Sequence, residues 1–471
     1  MNDVVPKVSL DALFRRNVSL REEQCALRDL DGTTLTYKQA SNAVAKVAAQ
    51  IASFGMPQKS AVALLLPNGR ELAIALLAVM RCGHVPVPMP VAWRKSDLVR
   101  ACREAEIAAM ITTANFGSER LPELAADVAI EVFELSFPCA FGAPLPDGVL
   151  SLSDAAHDEP MLPGATLAEA SAAGIGTMLS SGSGITLVLH SDDELLAAGL
   201  GSMLAGDVRP GDKIVSALSF ANFAGLATAL VPWLLSGGTL TLLGDLPAKG
   251  GVAFDGQTHV IATASLVPSL VAQAEQALAS VSAVHFGGTS AKTSFPALNA
   301  KTVVDVIAVG EAAVIAMPRR ERGIVEAVPL GAIRAGNSGE AAPVIVETSV
   351  EKGRLHLRGA MVPKDALREE AWLDSGYSTK PASNGGLYVI PPAELIAIGG
   401  LRFDLFDLER RVRASALISE IMVEHAPLIG TRLVITSDRP AETAKALLDA
   451  GLPRIVAASV RTDHSVKAKA G

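Results

Sequence analysis

Two places in the sequence carry residues that could do chemistry. The first is MLSSGSGITLVLHS, where Ser180, Ser181, Gly182, Ser183 and Gly184 make a hydroxyl-rich turn after an apolar strand. Small residues leave backbone N–H groups and hydroxyls open to an anion such as phosphate, and they equally suit a plain turn between strands. The second is Glu311, at the end of Ile307-Ala308-Val309-Gly310-Glu311. An acid among apolar neighbours tolerates burial only with a partner or a cation; the alternative is that it caps a helix starting there. Other chemistries lack their signals. Gly174, Gly176 and Leu179 break the G-x-G-x-x-G pattern at its third glycine, SGSG is not a G-x-S-x-G elbow, and no Walker A motif exists. The histidines, His190, His285 and His464 among them, form no i, i+4 pair, and Cys25, Cys82, Cys102 and Cys139 form no C-x-x-C, so neither a metal site nor a disulfide frame is signalled.

The elements that must position these residues read as alternating helices and strands. Thr36 suits an N-cap, Val44, Val47, Ala48 and Ile51 recur at helical spacing, and Gly55 stops the helix. A continuous apolar run at 61–66, a helix over 71–81, a strand at 85–89, a helix over 96–104 and a strand at 108–112 predict parallel, doubly covered strands. The Pro-, Gly- and Ser-rich segment 133–163 predicts an irregular surface connection. A second alternation from residue 177 predicts strands near 214–217, 239–243, 260–263, 283–286 and 303–307, and shorter strands with glycine turns follow residue 354.

The chain is long enough for two or three domains: 471 residues, against the roughly 250–300 that one core supports. Apolar residues make up 49 %, aromatic ones 4 % and charged ones 19 %, which argues against disorder and for cores of small aliphatic side chains. A net charge of -8 speaks against nucleic-acid binding, which needs a basic face. The uncharged run 214–244 exceeds the roughly 20 residues of a membrane helix, but Pro232 and Gly237-Gly238 interrupt it, so it predicts a buried helix, turn and strand, with no membrane span. No continuous apolar stretch marks the N-terminus as a secretory signal, so a cytoplasmic location is expected.

TLTYKQASNAVAKVAAQIASFGMPQKSAVALLLPNGRELAIALLAVMRCGHVPVPM, together with FANFAGLATALVPWLLSGGTLTLL, HVIATASLVPSL, VHFGGTS, VIAVGEAAV, GRLHLRGAMV, AWLDSGY and LIAIGGLRFDLFDLERRV, resembles the acyl-adenylate-forming (AMP-binding) superfamily, of acyl- and aryl-CoA synthetase type. The resemblance covers nearly the whole chain. It implies an α/β fold: a large N-terminal domain of doubly wound α/β subdomains plus a β-rich subdomain (1–393), and a small α+β C-terminal lid domain (394–471). It also implies ATP with magnesium, coenzyme A as thiol acceptor, and a small-molecule carboxylate or acyl ligand.

Transferred residue by residue, the motifs are altered. Ser180, Ser181, Gly182, Ser183 and Gly184 stand in the nucleotide phosphate loop, which here is short and lacks its Pro and Lys. Glu311 matches the acid that serves catalysis and holds magnesium. Tyr377, in Ser375-Gly376-Tyr377, replaces the aspartate that holds ribose and offers one phenolic oxygen. Ile390-Pro391 replaces a Gly-Arg pair, while Glu394 and Gly399-Gly400 match the hinge region. Lys467 lies one residue late for the catalytic lysine of the tail, where it equally serves as a solvated charge. Gly288 is placed beside the nucleotide, and Phe220, Asn222, Gly225 and Gly287 in the acyl pocket.

A charge-assisted hydrogen bond is worth about 1.5–3 kcal/mol, so loss of three from a phosphoryl site costs about 5–9 kcal/mol and slows adenylation by roughly four to six orders of magnitude. Arg319, Arg320 or Lys292 could compensate only by moving into the site. The reading preferred on sequence is a carboxylate- or acyl-binding protein with adenylation impaired or lost. Its alternatives are an active, divergent acyl-CoA synthetase and a non-catalytic subunit of an active relative; a homo-oligomer or such a heteromer is compatible with each.

Overall fold

The structure is a computed structural model that describes residues 8–152 apart from 115 and 118, and 174–462 apart from 182–183, 245–253, 273, 290–295, 322, 337–341, 368–370 and 416–417. The helix Tyr37–Ala52 begins at a capping box: Gln39 N–H donates to the Thr36 hydroxyl and Thr36 N–H to the Gln39 side chain. Its predicted stripe, Val44, Val47, Ala48 and Ile51, is buried.

The strands Ala61–Leu64, Val85–Pro88 and Ile107–Thr113 alternate with the helices Arg70–Arg81 and Lys95–Glu104 and form a parallel sheet, as their apolar runs predict. One expectation needs correcting. Part of 133–163 is regular, because Phe137–Phe141 and Leu150–Leu152 extend this sheet in parallel. A short strand covered on both faces shows no alternation, so FPCAF was hidden among prolines and glycines. Residues 153–163 lie outside the described residues.

A second sheet of eight strands holds the predicted strands Lys213–Ser216, Thr239–Leu242, Thr258–Thr263, Leu278–His285 and Ala300–Val309, all parallel. Ala313–Pro318 turns back antiparallel on Ala300–Val309. The uncharged run folds as a buried strand, helical turns from Phe223 to Ser236 and a second strand. Among the described residues no helix is long and apolar enough to cross a membrane.

Five antiparallel strands between Gly331 and Ile390 make the third sheet. The hairpin of Ile175–Ser181 and Gly184–His190 stands apart from it. From Leu395 on, the chain forms a small α+β unit in which Leu401–Asp404, Leu395–Ile398, Gly430–Ser437 and Glu420–Ala426 lie side by side, with the helices Leu405–Ser415 and Pro440–Asp449. One apolar cluster runs from Val87, Leu98 and Met110 of the first sheet layer into Phe403, Leu408 and Leu433 of this unit, so the C-terminal unit is seated on the body by a shared core.

Candidate functional site

Ser181 lies opposite Gly184 in the antiparallel register, so the strands on either side of the hydroxyl-rich segment pair directly with each other. Gly182 and Ser183 lie outside the described residues. The strand therefore returns as another strand and does not open a helix beside the turn. The next helix, Asp192–Ala205, starts a full strand later, where Ser191 and Glu194 close their own capping box. Ser180 lines a cavity of about 300 Å³ that also contains Gly310, Glu311, Tyr377 and Glu394.

Glu311 sits in the tight turn joining Ala300–Val309 to Ala313–Pro318 and is 2 % exposed at its side chain. Both carboxylate oxygens are engaged. Oε2 accepts from Phe223 N–H at 2.6 Å, and Oε1 pairs with the Arg402 guanidinium of the C-terminal unit, itself 6 % exposed. Glu311 thus caps a helix, although one beginning 88 residues earlier in the chain and not one beginning at its own position. Burial pushes this carboxyl up, opposed by the Arg402 charge, the Phe223 N–H and the Thr177 hydroxyl. A guanidinium keeps its proton, so protonating Glu311 would strand a buried cation; geometry favours the ion pair.

Behind the pair, His190 Nε2 lies 2.8 Å from the Thr177 hydroxyl, and the His190 ring stacks on Phe223 at 4.3 Å. Burial, with Arg402 adding to it, holds His190 down to about 3, so the imidazole is neutral. His190 Nδ1 has no hydrogen-bond partner among the described residues. Tyr377 closes the opposite wall: its buried hydroxyl accepts from Gly310 N–H at 3.0 Å, with Gly310 in the left-handed region at φ +56°.

The glycine pair divides. A Cβ on Gly287 would meet nothing within 4 Å, and the residue borders a second, mostly apolar cavity of about 540 Å³ that includes Phe286, Pro391 and Leu395. A Cβ on Gly288 would meet the Val389 carbonyl oxygen at 2.2 Å, so backbone crossing dictates that glycine. Phe220, Asn222 and Gly225 line neither cavity and pack behind Glu311, which bonds the neighbouring Phe223 N–H. Phe220 is buried, the Asn222 side chain accepts from Gly225 N–H at 2.8 Å, and a Cβ on Gly225 would meet the Ser219 carbonyl oxygen at 2.0 Å.

The cations that could have replaced the missing lysine are placed elsewhere or not described. Arg319 is bound to buried Asp305, which also accepts from His285 at 2.9 Å. Arg320 is exposed, and Lys292 and Lys467 lie outside the described residues. Arg402, the buried partner of Glu311, was not singled out by the sequence. Its one signal is a lone basic residue between Leu401 and Phe403, directly after Gly399-Gly400.

Magnesium takes several oxygen ligands in near-octahedral array. Here the matching acid is already bonded through both oxygens, one of them to a cation, and among the described residues no group of three or more His, Cys, Asp or Glu could hold a metal. The residues of this closed arrangement do not fit magnesium. The walls of the smaller cavity do not suit a triphosphate either, since among the described residues Glu311, Asp374, Glu394 and Asp404 line it with one cation, Arg402.

Comparison with known proteins places these features in context. The family described as AMP-binding enzyme matches residues 14–333. A stretch of 75 residues is 37 % identical to 4-coumarate–CoA ligase 5 of Oryza sativa subsp. japonica, covering 16 % of this chain and 14 % of that protein. Another of 95 residues is 34 % identical to the phosphinothricin tripeptide synthetase PhsB of Streptomyces viridochromogenes, covering 20 % and 8 %. The chain thus spans only a small part of the lengths of the curated relatives it matches. Among solved structures, the anthranilate CoA ligase AuaEII in complex with anthranoyl-AMP is similar with TM-score 0.64 and 16 % identity over 98 % of this chain and 94 % of that one. The amide bond synthetase McbA from Marinactinospora thermotolerans is similar with TM-score 0.66 and 16 % identity over 97 % and 96 %. At that identity the likeness shows the fold.

Proposed function

Because this chain belongs to the AMP-binding enzyme family, we propose that it is an acyl- or aryl-CoA ligase-like protein that binds a small carboxylate or acyl ligand, with ATP-dependent adenylation impaired or lost. The observation that carries the reading is Glu311: the acid that magnesium would need is neutralised from within by Arg402. Tyr377 in the ribose position is also committed, to Gly310, and Pro391 offers no donor where an arginine would stand. Each of these removes attraction for a charged nucleotide and leaves the apolar cavity beside Gly287 as the place for an acyl body.

When bound, magnesium and ATP would supply the leaving pyrophosphate that makes a carboxylate an acyl donor. The chain's own residues do less than that. Gly287 leaves room for a ligand, and Phe286 and Leu395 offer it apolar walls. The names of two relatives, a 4-coumarate–CoA ligase and an anthranilate CoA ligase, make aryl carboxylates and their thioesters the first probes.

Two measurements test the reading. Pyrophosphate release with ATP, magnesium and an aryl carboxylate library is expected to stay at background, and thermal shift with the same acids or their CoA esters is expected to find a ligand. Robust turnover would replace this reading with an active, divergent acyl-CoA synthetase. Failure of every small molecule, with co-purification of an active relative, would replace it with a non-catalytic binding partner of that relative.

A further inference from the structure

Successive side chains of a strand alternate, so Leu401–Asp404 turns Arg402 and Asp404 to one face and Phe403 to the other. Phe403 joins the apolar core shared with the first sheet, while Arg402 and Asp404 both line the cavity of about 300 Å³. Each of the two has one atom engaged and another idle. Arg402 Nη2 is held by Glu311, but Nη1 is buried with no hydrogen-bond partner among the described residues. Asp404 Oδ1 accepts from Asp407 N–H at 2.6 Å and so caps the helix Leu405–Ser415, but Oδ2 is buried with no such partner. With the Arg402 side chain 6 % and Asp404 7 % exposed, neither idle atom is compensated for the water it has lost.

Room for an occupant lies beside them. The point where a Cβ on Gly310 would stand is 3.8 Å from Arg402 Nη1 and 4.0 Å from Tyr377 Cε2, so a side chain there would close the gap that this glycine leaves. Leu179, Val188, Val309 and Leu373 give the cavity apolar walls. Its volume falls at the lower end of the roughly 300–1,000 Å³ of small-molecule sites.

The two idle atoms make opposite demands on a ligand. A carboxylate would serve Nη1 but bring a further anion against Asp404 and Glu394, and an ammonium would serve Oδ2 but bring a second cation against Arg402. A primary carboxamide offers an oxygen that accepts, an NH2 that donates, and no net charge to strip of water. We propose that this cavity binds a small neutral primary carboxamide on an apolar body, its oxygen on Arg402 Nη1 and its nitrogen on Asp404 Oδ2. Neither residue lines the cavity beside Gly287, so the site stands whether or not an acyl ligand binds there.

The test uses the full chain and calorimetric titration with benzamide, with benzoate and benzylamine as charged probes of similar shape. The unmodified chain and Gly287→Leu, whose side chain would occupy the other cavity, are titrated in parallel, so an acid bound there and an amide bound here are told apart. Benzamide is expected to bind both proteins alike, and to bind Gly287→Leu about 10-fold or more tightly than either charged probe does. Asp404→Asn keeps an oxygen for Asp407 N–H and turns Oδ2 into a donor. It is expected to weaken benzamide by about 10-fold or more and to make benzoate the better ligand of the two. Should Asp404→Asn fail to fold, the unmodified chain decides: N,N-dimethylbenzamide, which has no N–H, is expected to bind it about 10-fold or more weakly than benzamide. No heat with benzamide, undiminished affinity in Asp404→Asn, equal affinity for the dimethyl amide, or loss of benzamide binding in Gly287→Leu overturns the proposal.

Discussion

Two ionic seams hold the C-terminal unit to the body, and they differ in kind. At the centre lies one pair, Glu311–Arg402, whose side chains are 2 % and 6 % exposed. At the rim lie several: Arg411 with Asp97 at 2.6 Å, Arg100 bridging Asp97 and Asp407, and Arg454 with Glu119, where the arginine is 55 % exposed. Each rim group keeps water or a second partner when one bond breaks. Glu311 keeps only the Phe223 N–H and Arg402 lies almost out of water, so losing either leaves a charge without its counter-charge in a poorly screened interior. Count of ion pairs is therefore a poor guide to what holds the two parts together; burial ranks them.

The sharpest way to break that contrast is Glu311→Ala, expected to destabilise the chain by about 3–5 kcal/mol because Arg402 is left buried and unpaired. Urea denaturation monitors it, and the loss should be nearly the same at low and high salt. A salt-sensitive loss below about 1 kcal/mol would mean that the central seam behaves like the rim.

Asp192 is the control, a buried carboxylate with no ion-pair partner among the described residues. Its Oδ2 accepts from Leu10 N–H at 3.3 Å and its Oδ1 has no hydrogen-bond partner among the described residues. Burial raises it to about 6 from an ordinary 3.8, with the Leu10 N–H opposing and Asp193 and Asp11 adding. The folded chain thus binds the proton more tightly than the unfolded one, so stability from this group is full below about pH 4 and declines as pH rises towards 6. Asp192→Asn should gain about 1–3 kcal/mol at pH 8 and nothing near pH 3.5 in denaturation profiles. A gain independent of pH would show that burial is not what Asp192 resists.

At the rim, Asp97→Ala removes the acceptor of both Arg411 and Arg100 and is expected to cost about 1–2 kcal/mol, shrinking as salt is added. Arg454→Ala should change stability by less than about 0.5 kcal/mol in the same measurement. Reversal of the order of these two would remove burial as the ranking principle.

How much of this was legible in the sequence varies with range. The helix over Tyr37–Ala52 follows from Thr36 and an apolar stripe a few residues apart, and the parallel strands from continuous apolar runs. The strand Phe137–Phe141 was not legible, since a short doubly covered strand inside a Pro- and Gly-rich stretch has neither length nor alternation to mark it. At the site, the need of Glu311 for a partner could be read from its apolar neighbours, but the partner could not. Arg402 lies 91 residues away on a different sheet, and no local period connects the two.

The residues alone determined the α/β alternation, the family likeness and the loss of the phosphate-loop lysine, because propensity, apolar period and motif are properties of neighbours along the chain. Only the tertiary structure decided that Glu311 answers to Arg402, that Tyr377 answers to Gly310, and that the strands flanking the serine segment pair antiparallel. Those bonds depend on which distant surfaces are pressed together out of water, and a buried charge takes its meaning from whatever stands opposite.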